Sequence, residues 1–324
     1  MLNLALTGLG LALLLVGGEG VVRGAVAAAR RLGISPLVIG LTVIGFGTSA
    51  PELVVSVGAA LSGAPALAVG NVLGSNIANI LLIVGIAALL SPLVVHPDAL
   101  RRDGVVLLVV TAAFPLAALN GGIGRTEGMA MVALLVAYIA ASIWSDRRNA
   151  GPAAELHREE ATGFTDALPR SGWVIALFIL AGLAALVGGA QLAVTGATAL
   201  AREAGISETV IGITLVAIGT SLPELSTAIA AARRGNSDVC IGNIIGSNLF
   251  NILGVAGASA IAAPLPFDDP LVVVDLWIML GVTALLVAFM LTGQRIVRWE
   301  GCALLLLYGV FIAFQFLATG GVAA

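Results

Sequence analysis

Gly47-Thr48-Ser49-Ala50-Pro51-Glu52-Leu53, followed by Gly70-Asn71-Val72-Leu73-Gly74-Ser75-Asn76-Ile77-Ala78-Asn79-Ile80-Leu81, is the stretch that decides the fold. It returns as Gly219-Thr220-Ser221-Leu222-Pro223-Glu224-Leu225 and Gly242-Asn243-Ile244-Ile245-Gly246-Ser247-Asn248-Leu249-Phe250-Asn251-Ile252-Leu253. The offset is constant, because 224 − 52 and 251 − 79 both equal 172. Each copy sets proline, a helix breaker, and a carboxylate in the middle of an apolar span. Matching interruptions in two halves of a chain point to a transport site near a membrane midplane.

Working outward, the rest of the chain supplies the membrane. Of 324 residues, 59% are hydrophobic and 10% charged, with a mean hydropathy of +1.10, whereas soluble domains carry about 25% charge. The sequence is that of a polytopic all-α membrane protein. With roughly 20 apolar residues needed per span, ten segments qualify: about 3–29, 34–61, 65–90, 104–120, 126–145, 172–200, 206–231, 238–262, 270–292 and 299–318. The first span has no basic stretch ahead of it and is read as a retained helix, not a cleaved leader. Between the fifth and sixth spans lies the one long polar segment, 146–171. The chain therefore divides into a first five-helix repeat (1–145, with its motif at 33–82), a cytoplasmic linker (146–171) and a second five-helix repeat (172–324, motif 205–254).

Orientation follows from arginine, the chain's basic residue throughout. With both termini outside, the cytoplasmic loops hold Arg30, Arg31, Arg101, Arg102, Arg147, Arg148, Arg158, Arg170, Arg233, Arg234, Arg295 and Arg298, while the outer loops hold Arg125 and Arg202. Basic residues concentrate on the cytoplasmic side of membrane proteins, so the N-terminus and C-terminus are placed outside. Five spans per half is an odd number, so the second copy enters the membrane from the opposite face and the repeats are inverted. The multi-pass chain belongs in the cell (inner or plasma) membrane, with the lipid bilayer as its surroundings. The loops carry no aromatic-basic pattern for nucleic acid. Neither Cys240 and Cys302 nor His96 and His157 have the spacing of a metal or catalytic site. No nucleophile-base pair is present, so the chain is not an enzyme, and no cofactor is expected.

Within the bilayer the motif residues have two readings. Ser49-x-x-Glu52 and Ser221-x-x-Glu224 fit a capping box, in which hydroxyl and carboxylate merely cap a restarted helix. Against this, an intramembrane carboxylate costs about 2.5–3.5 kcal/mol on insertion scales and by default marks a functional site, and here there are two. Proline also frees a backbone carbonyl that lipid cannot satisfy. Gly70 with Gly74 and Gly242 with Gly246 suit close helix packing. Ser75 and Asn79 share one helix face, as do Ser247 and Asn251. The donors are thus carboxylates, hydroxyls, amides and carbonyls, an all-oxygen set suited to hard cations such as Ca2+ and, by size, Na+. Glu52 and Glu224 together carry a charge that one Ca2+ or two Na+ would neutralise, so the two ions compete.

The paired Gly-Thr-Ser-x-Pro-Glu and Gly-Asn-x-x-Gly-Ser-Asn motifs resemble the alpha-1 and alpha-2 repeats of the cation/calcium antiporter superfamily, in particular its sodium/calcium exchanger branch and the prokaryotic members. The resemblance implies a secondary antiporter exchanging Na+ for Ca2+ by alternating access. It implies that Glu52 and Glu224 are ligands shared by both ions, with the carbonyls of Thr48 and Thr220 completing the calcium site. Ser49, Ser75, Ser221 and Ser247, with the carbonyls of Gly45 and Ala217, would serve flanking sodium sites, and Asn79 and Asn251 a middle one. It further implies that the first and sixth spans slide as a pair; Gly17, Gly18, Gly20, Gly188 and Gly189 suit such sliding. Asn251 departs from relatives that carry aspartate there, which disfavours K+ co-transport. A H+-coupled Ca2+ antiporter is the alternative, although that branch carries Gly-Asn-x-x-Glu where this chain has Gly70-Asn71-Val72-Leu73-Gly74. A sodium-coupled carrier of an organic solute ranks below it. The sequence leaves the oligomeric state open.

Overall fold

The computed structural model describes residues 2–97, 99–118, 121–148, 169, 171–203 and 219–318. Within them the chain forms α1 (Leu2–Leu32), α2 (Pro36–Thr48), α3 (Ala50–Leu61), α4 (Pro65–Leu90), α5 (Val105–Ala118), α6 (Arg125–Arg148), α7 (Gly172–Glu203), α8 (Leu222–Arg233), α9 (Ser237–Ala262), α10 (Pro270–Leu291) and α11 (Arg298–Ala318). The starts are written in the sequence. Pro36, Pro65 and Pro270 each open a helix, where a missing N–H costs nothing. Asp269 caps α10 by accepting from Leu271 N at 2.8 Å. Glu300 accepts from Val297 N at 2.8 Å and caps α11. Ser35, ahead of α2, is held by Asp146 at the end of α6, whose carboxylate accepts from Ser35 N at 2.7 Å and Ser35 Oγ at 2.8 Å.

Seven of these helices are long and apolar enough to cross a membrane, or eight when α2 and α3, bent by 46° at Ser49, are taken as one broken span. Two of the expected ten do not reach that length among the described residues. The fourth, 104–120, is the 14-residue α5, which runs on from a wide π turn at Ala99–Gly104. The seventh, 206–231, is described only from residue 219 and contributes the 12-residue α8. Most of the 146–171 segment lies outside the described residues.

The helices α4 and α9, which carry the Gly-Asn motif, are mostly buried. Around them, equivalent contacts recur between copies. Gly85 on α4 meets Gly301 on α11 so closely that a Cβ at Gly301 would lie 2.9 Å from the Gly85 carbonyl oxygen, and Gly257 on α9 meets Gly128 on α6, where a Cβ at Gly128 would lie 2.7 Å from the Gly257 carbonyl oxygen. Two short ladders do the same with loops. Leu93–Val94 pairs antiparallel with Arg295–Ile296, and Gly122–Ile123 pairs with Leu265–Pro266. In both ladders one strand comes from each copy, and the strands of one ladder are the repeat equivalents of the other's.

Antiparallel α1 and α7 pack on each other along their length, because glycine lets backbone touch backbone. A Cβ at Gly17 would sit 2.8 Å from the Gly182 carbonyl oxygen, and one at Gly189 would sit 2.8 Å from that of Gly10. Gly18 faces α8 instead, 2.9 Å from the Ser226 carbonyl oxygen by the same measure. Glu19 on α1 binds Arg23 at 2.7 Å and Arg234, just beyond α8, through both carboxylate oxygens; the Arg234 Nε contact is 2.7 Å.

Candidate cation site

The break between α2 and α3 is a single residue wide. Ser49 has φ −85° and ψ 10°, and its equivalent Ser221 has φ −89° and ψ 6°. Neither hydroxyl caps its own helix, so the capping-box reading fails in both copies. The hydroxyls instead cross between copies. Ser49 Oγ donates to Glu224 Oε1 at 2.7 Å, and Ser221 Oγ to Glu52 Oε1 at 3.5 Å. Both carboxylates are buried, and Pro51 and Pro223 place each in the first turn of a helix, near its positive end.

Further bonds extend the exchange. Asn251 Nδ2 on α9 donates to Ser75 Oγ on α4 at 3.0 Å. Ser247 Oγ donates to the Gly45 carbonyl at 3.3 Å and lies 3.5 Å from Thr48 Oγ1. Thr48 Oγ1 donates to the Ile44 carbonyl at 3.1 Å and approaches Asn243 Oδ1 at 3.3 Å. Four buried contacts thereby each join the two copies: Ser49 with Glu224, Ser221 with Glu52, Asn251 with Ser75, and Ser247 with Gly45 and Thr48. Asn79 is buried too, with neither amide atom hydrogen-bonded among the described residues. Thr220 immediately precedes Ser221 in the same turn. Ala217 lies outside the described residues.

Helix geometry aims these groups. A π turn begins at Asn79 and covers Asn79–Ile83, and its counterpart covers Phe250–Val255 with Asn251 inside. Such wide turns rotate side chains off the regular helical register and favour functional positions. Phe46 and Phe250, each beside a candidate ligand, pack with their rings tilted by 33° at 4.5 Å between centroids and hold α2 against α9.

The electrostatics favour a bound cation. Glu52 Oε2, Glu224 Oε2, Asn76 Oδ1, Asn79 Oδ1, Asn248 Oδ1 and Asn251 Oδ1 are all buried with no hydrogen-bond partner among the described residues. Buried acceptors left unpaired cost about 1–3 kcal/mol each, and more when charged. A hard cation coordinated by oxygens removes that cost. The amide ends of Asn76 and Asn248 are meanwhile tied to the Val72 and Ile244 carbonyls at 2.7 Å, which fixes their oxygens outward from the helix axis. Sequence reasoning missed Asn71, Ser56 and Asn243 as supports of the site. The signal available was the asparagine at the second position of each Gly-Asn motif.

The chain matches the family described as "Sodium/calcium exchanger protein" over residues 2–144 and 174–317. It is 35% identical to the Sodium/calcium exchanger MaX1 of Methanosarcina acetivorans, covering 95% of this chain and 97% of that protein. It is 40% identical to the Putative antiporter CaxA of Alkalimonas amylolytica, covering 95% and 96%. Among solved structures it resembles the sodium-calcium exchanger NCX_Mj soaked with zero Na+ and Ca2+, with a TM-score of 0.84, 32% identity and coverage of 97% and 99%.

Proposed function

This chain belongs to the sodium/calcium exchanger protein family, and we propose that it is a Na+/Ca2+ antiporter working by alternating access. Ten spans form two inverted five-helix repeats, 1–145 and 172–324, joined by a cytoplasmic linker at 146–171, with both termini outside. The ions, Ca2+ and Na+, are cargo. Ca2+ is held by Glu52 and Glu224 with the carbonyls of Thr48 and Thr220. Na+ takes the flanking positions built from Ser49 and Ser75, and from Ser221 and Ser247, with the Gly45 and Ala217 carbonyls, and Asn79 and Asn251 border the middle.

The observation that carries this reading is the reciprocal crossing of Ser49 to Glu224 and Ser221 to Glu52, with one oxygen of each buried carboxylate left for a ligand. Two charges surrounded by neutral oxygens cannot hold a full complement of Na+ and a Ca2+ together, because the cations repel at close range in a low dielectric. Mutual exclusion at one site, opened to each side in turn, is what couples opposite fluxes.

The test is Ca2+ flux in proteoliposomes under imposed Na+, K+ or H+ gradients. Ca2+ uptake driven by an outward Na+ gradient, and absent with K+ in its place, is the expected result. Uptake driven by a pH gradient in Na+-free medium overturns Na+ coupling in favour of protons.

A further inference from the structure

The two carboxylates are matched, but the turns behind them are not. Asn71 Nδ2 on α4 donates to Ser56 Oγ at 2.8 Å and to the Glu52 carbonyl at 3.3 Å. Ser56 is fully buried. The first turn of α3, which holds Glu52, is therefore tied sideways to the helix that holds Ser75 and Asn79.

In the second copy the equivalent asparagine is present and its partner is not. Asn243 takes the place of Asn71, while Ala228 fills the position of Ser56, since 56 + 172 = 228. Asn243 and Ala228 are both fully buried, and α8 packs directly on α9. Among the described residues Asn243 Nδ2 has no hydrogen-bond partner, while its Oδ1 lies 3.3 Å from Thr48 Oγ1. The missing hydroxyl at 228 accounts for that orphaned donor.

We propose that Asn71, acting through Ser56, is a positioning residue that clamps the Glu52 turn to α4, and that Ala228 leaves the Glu224 turn unclamped. Glu52 then serves as the fixed wall of the site and Glu224 as the carboxylate that follows the ion. This rests on the exchanger reading for its ion, and on the hydrogen bonds alone for the clamp. One hydrogen bond of ordinary strength shifts an equilibrium by up to about tenfold.

The test uses full-length S56A, S56T, N71A and A228S, measured by thermal unfolding in detergent and by Ca2+ uptake into Na+-loaded proteoliposomes. S56A and N71A are expected to raise KM for Ca2+ about three- to tenfold while the maximal rate changes less than about twofold. S56T, which keeps the hydroxyl, restores most of the affinity lost in S56A. A228S gives Asn243 Nδ2 a partner, so its Tm rises by about 2–4 °C and its maximal rate falls. Equal behaviour of S56A and S56T overturns the clamp, as does an A228S protein that unfolds earlier or matches the parent in both Tm and rate. If the parent transports no Ca2+ under any gradient, the exchanger reading falls by itself, and the thermal shifts of S56A, S56T and A228S still decide the clamp.

Discussion

The centre of the molecule and the ends of its helices have diverged to different degrees. At the centre the two copies agree position by position: Thr-Ser-x-Pro-Glu twice, Gly-Ser-Asn twice, with hydroxyls crossing to the opposite carboxylate. At the ends that the arginines assign to the cytoplasm, charges tie helices together. Glu19 binds Arg234, Asp146 holds Ser35, and buried Asp103 accepts from Arg102 Nε and Tyr138 Oη, both at 2.8 Å. Their repeat equivalents are neutral or unlike: Gln191 for Glu19, Ser62 for Arg234, Val274 for Arg102 and, on the helix where Gly301 matches Gly128, Phe311 for Tyr138. Asp275 retains the carboxylate of Asp103 but accepts from Gln315. The centre is constrained twice over, because the hydroxyl of each copy bonds the carboxylate of the other. The ends answer only to stability and to the side of the membrane they face.

The largest effect should come from breaking the centre. E52Q or E224Q removes a buried ligand charge, a loss of about 3 kcal/mol or more, so Ca2+ uptake should drop at least about 100-fold while the purified protein keeps its Tm within a few degrees. Normal uptake in either variant would remove the paired-carboxylate site. Next comes the α1–α7 seam, where a side chain at Gly17 has no room beside Gly182. G17V should destabilise by about 1–3 kcal/mol, read as a lower Tm, and depress transport with it. N251D, next in size, replaces an amide that donates to Ser75 by a group that only accepts. The Ser75 hydroxyl must then turn, and cation dependence should change, with K+ or H+ gaining influence on Ca2+ uptake; an unchanged cation profile would show that Asn251 does not border the ions.

Smallest of all is the loss at the ends. Glu19 and Arg234 are 36% and 22% exposed, and partly solvated pairs contribute about 1 kcal/mol or less. E19Q and R234Q should each lower Tm slightly, with a difference that shrinks in high salt and is recovered by the charge-swapped double variant. A large, salt-independent loss in E19Q would erase the contrast between centre and ends.

How much of this was legible beforehand differs along the same line. The broken span at Ser49, both carboxylates and the faces carrying Ser75 and Asn251 could be read from residues, because proline and charge inside apolar sequence have few uses. The cross-copy bonds could not, since Ser49-x-x-Glu52 satisfies the local capping pattern equally well and only tertiary packing selects Glu224 as the partner. Hydropathy marks 104–120 as one segment, and the backbone forms 14 residues of α-helix there, Val105–Ala118, directly after a π turn at Ala99–Gly104 that hydropathy does not show. Asn71 and Asn243 are identical letters with different bonds, and the difference lies at Ser56 and Ala228, on another helix.

The two small ladders carry a further consequence. Since Leu93–Val94 seeks its partner in Arg295–Ile296, and Gly122–Ile123 in Leu265–Pro266, neither half of the chain closes its own loops. A lone five-helix half would present two unmatched strands, and a second identical half in the opposite orientation would satisfy both. Both ladders thus bind one half of the chain to the other, and the halves should still find each other when expressed as two separate polypeptides.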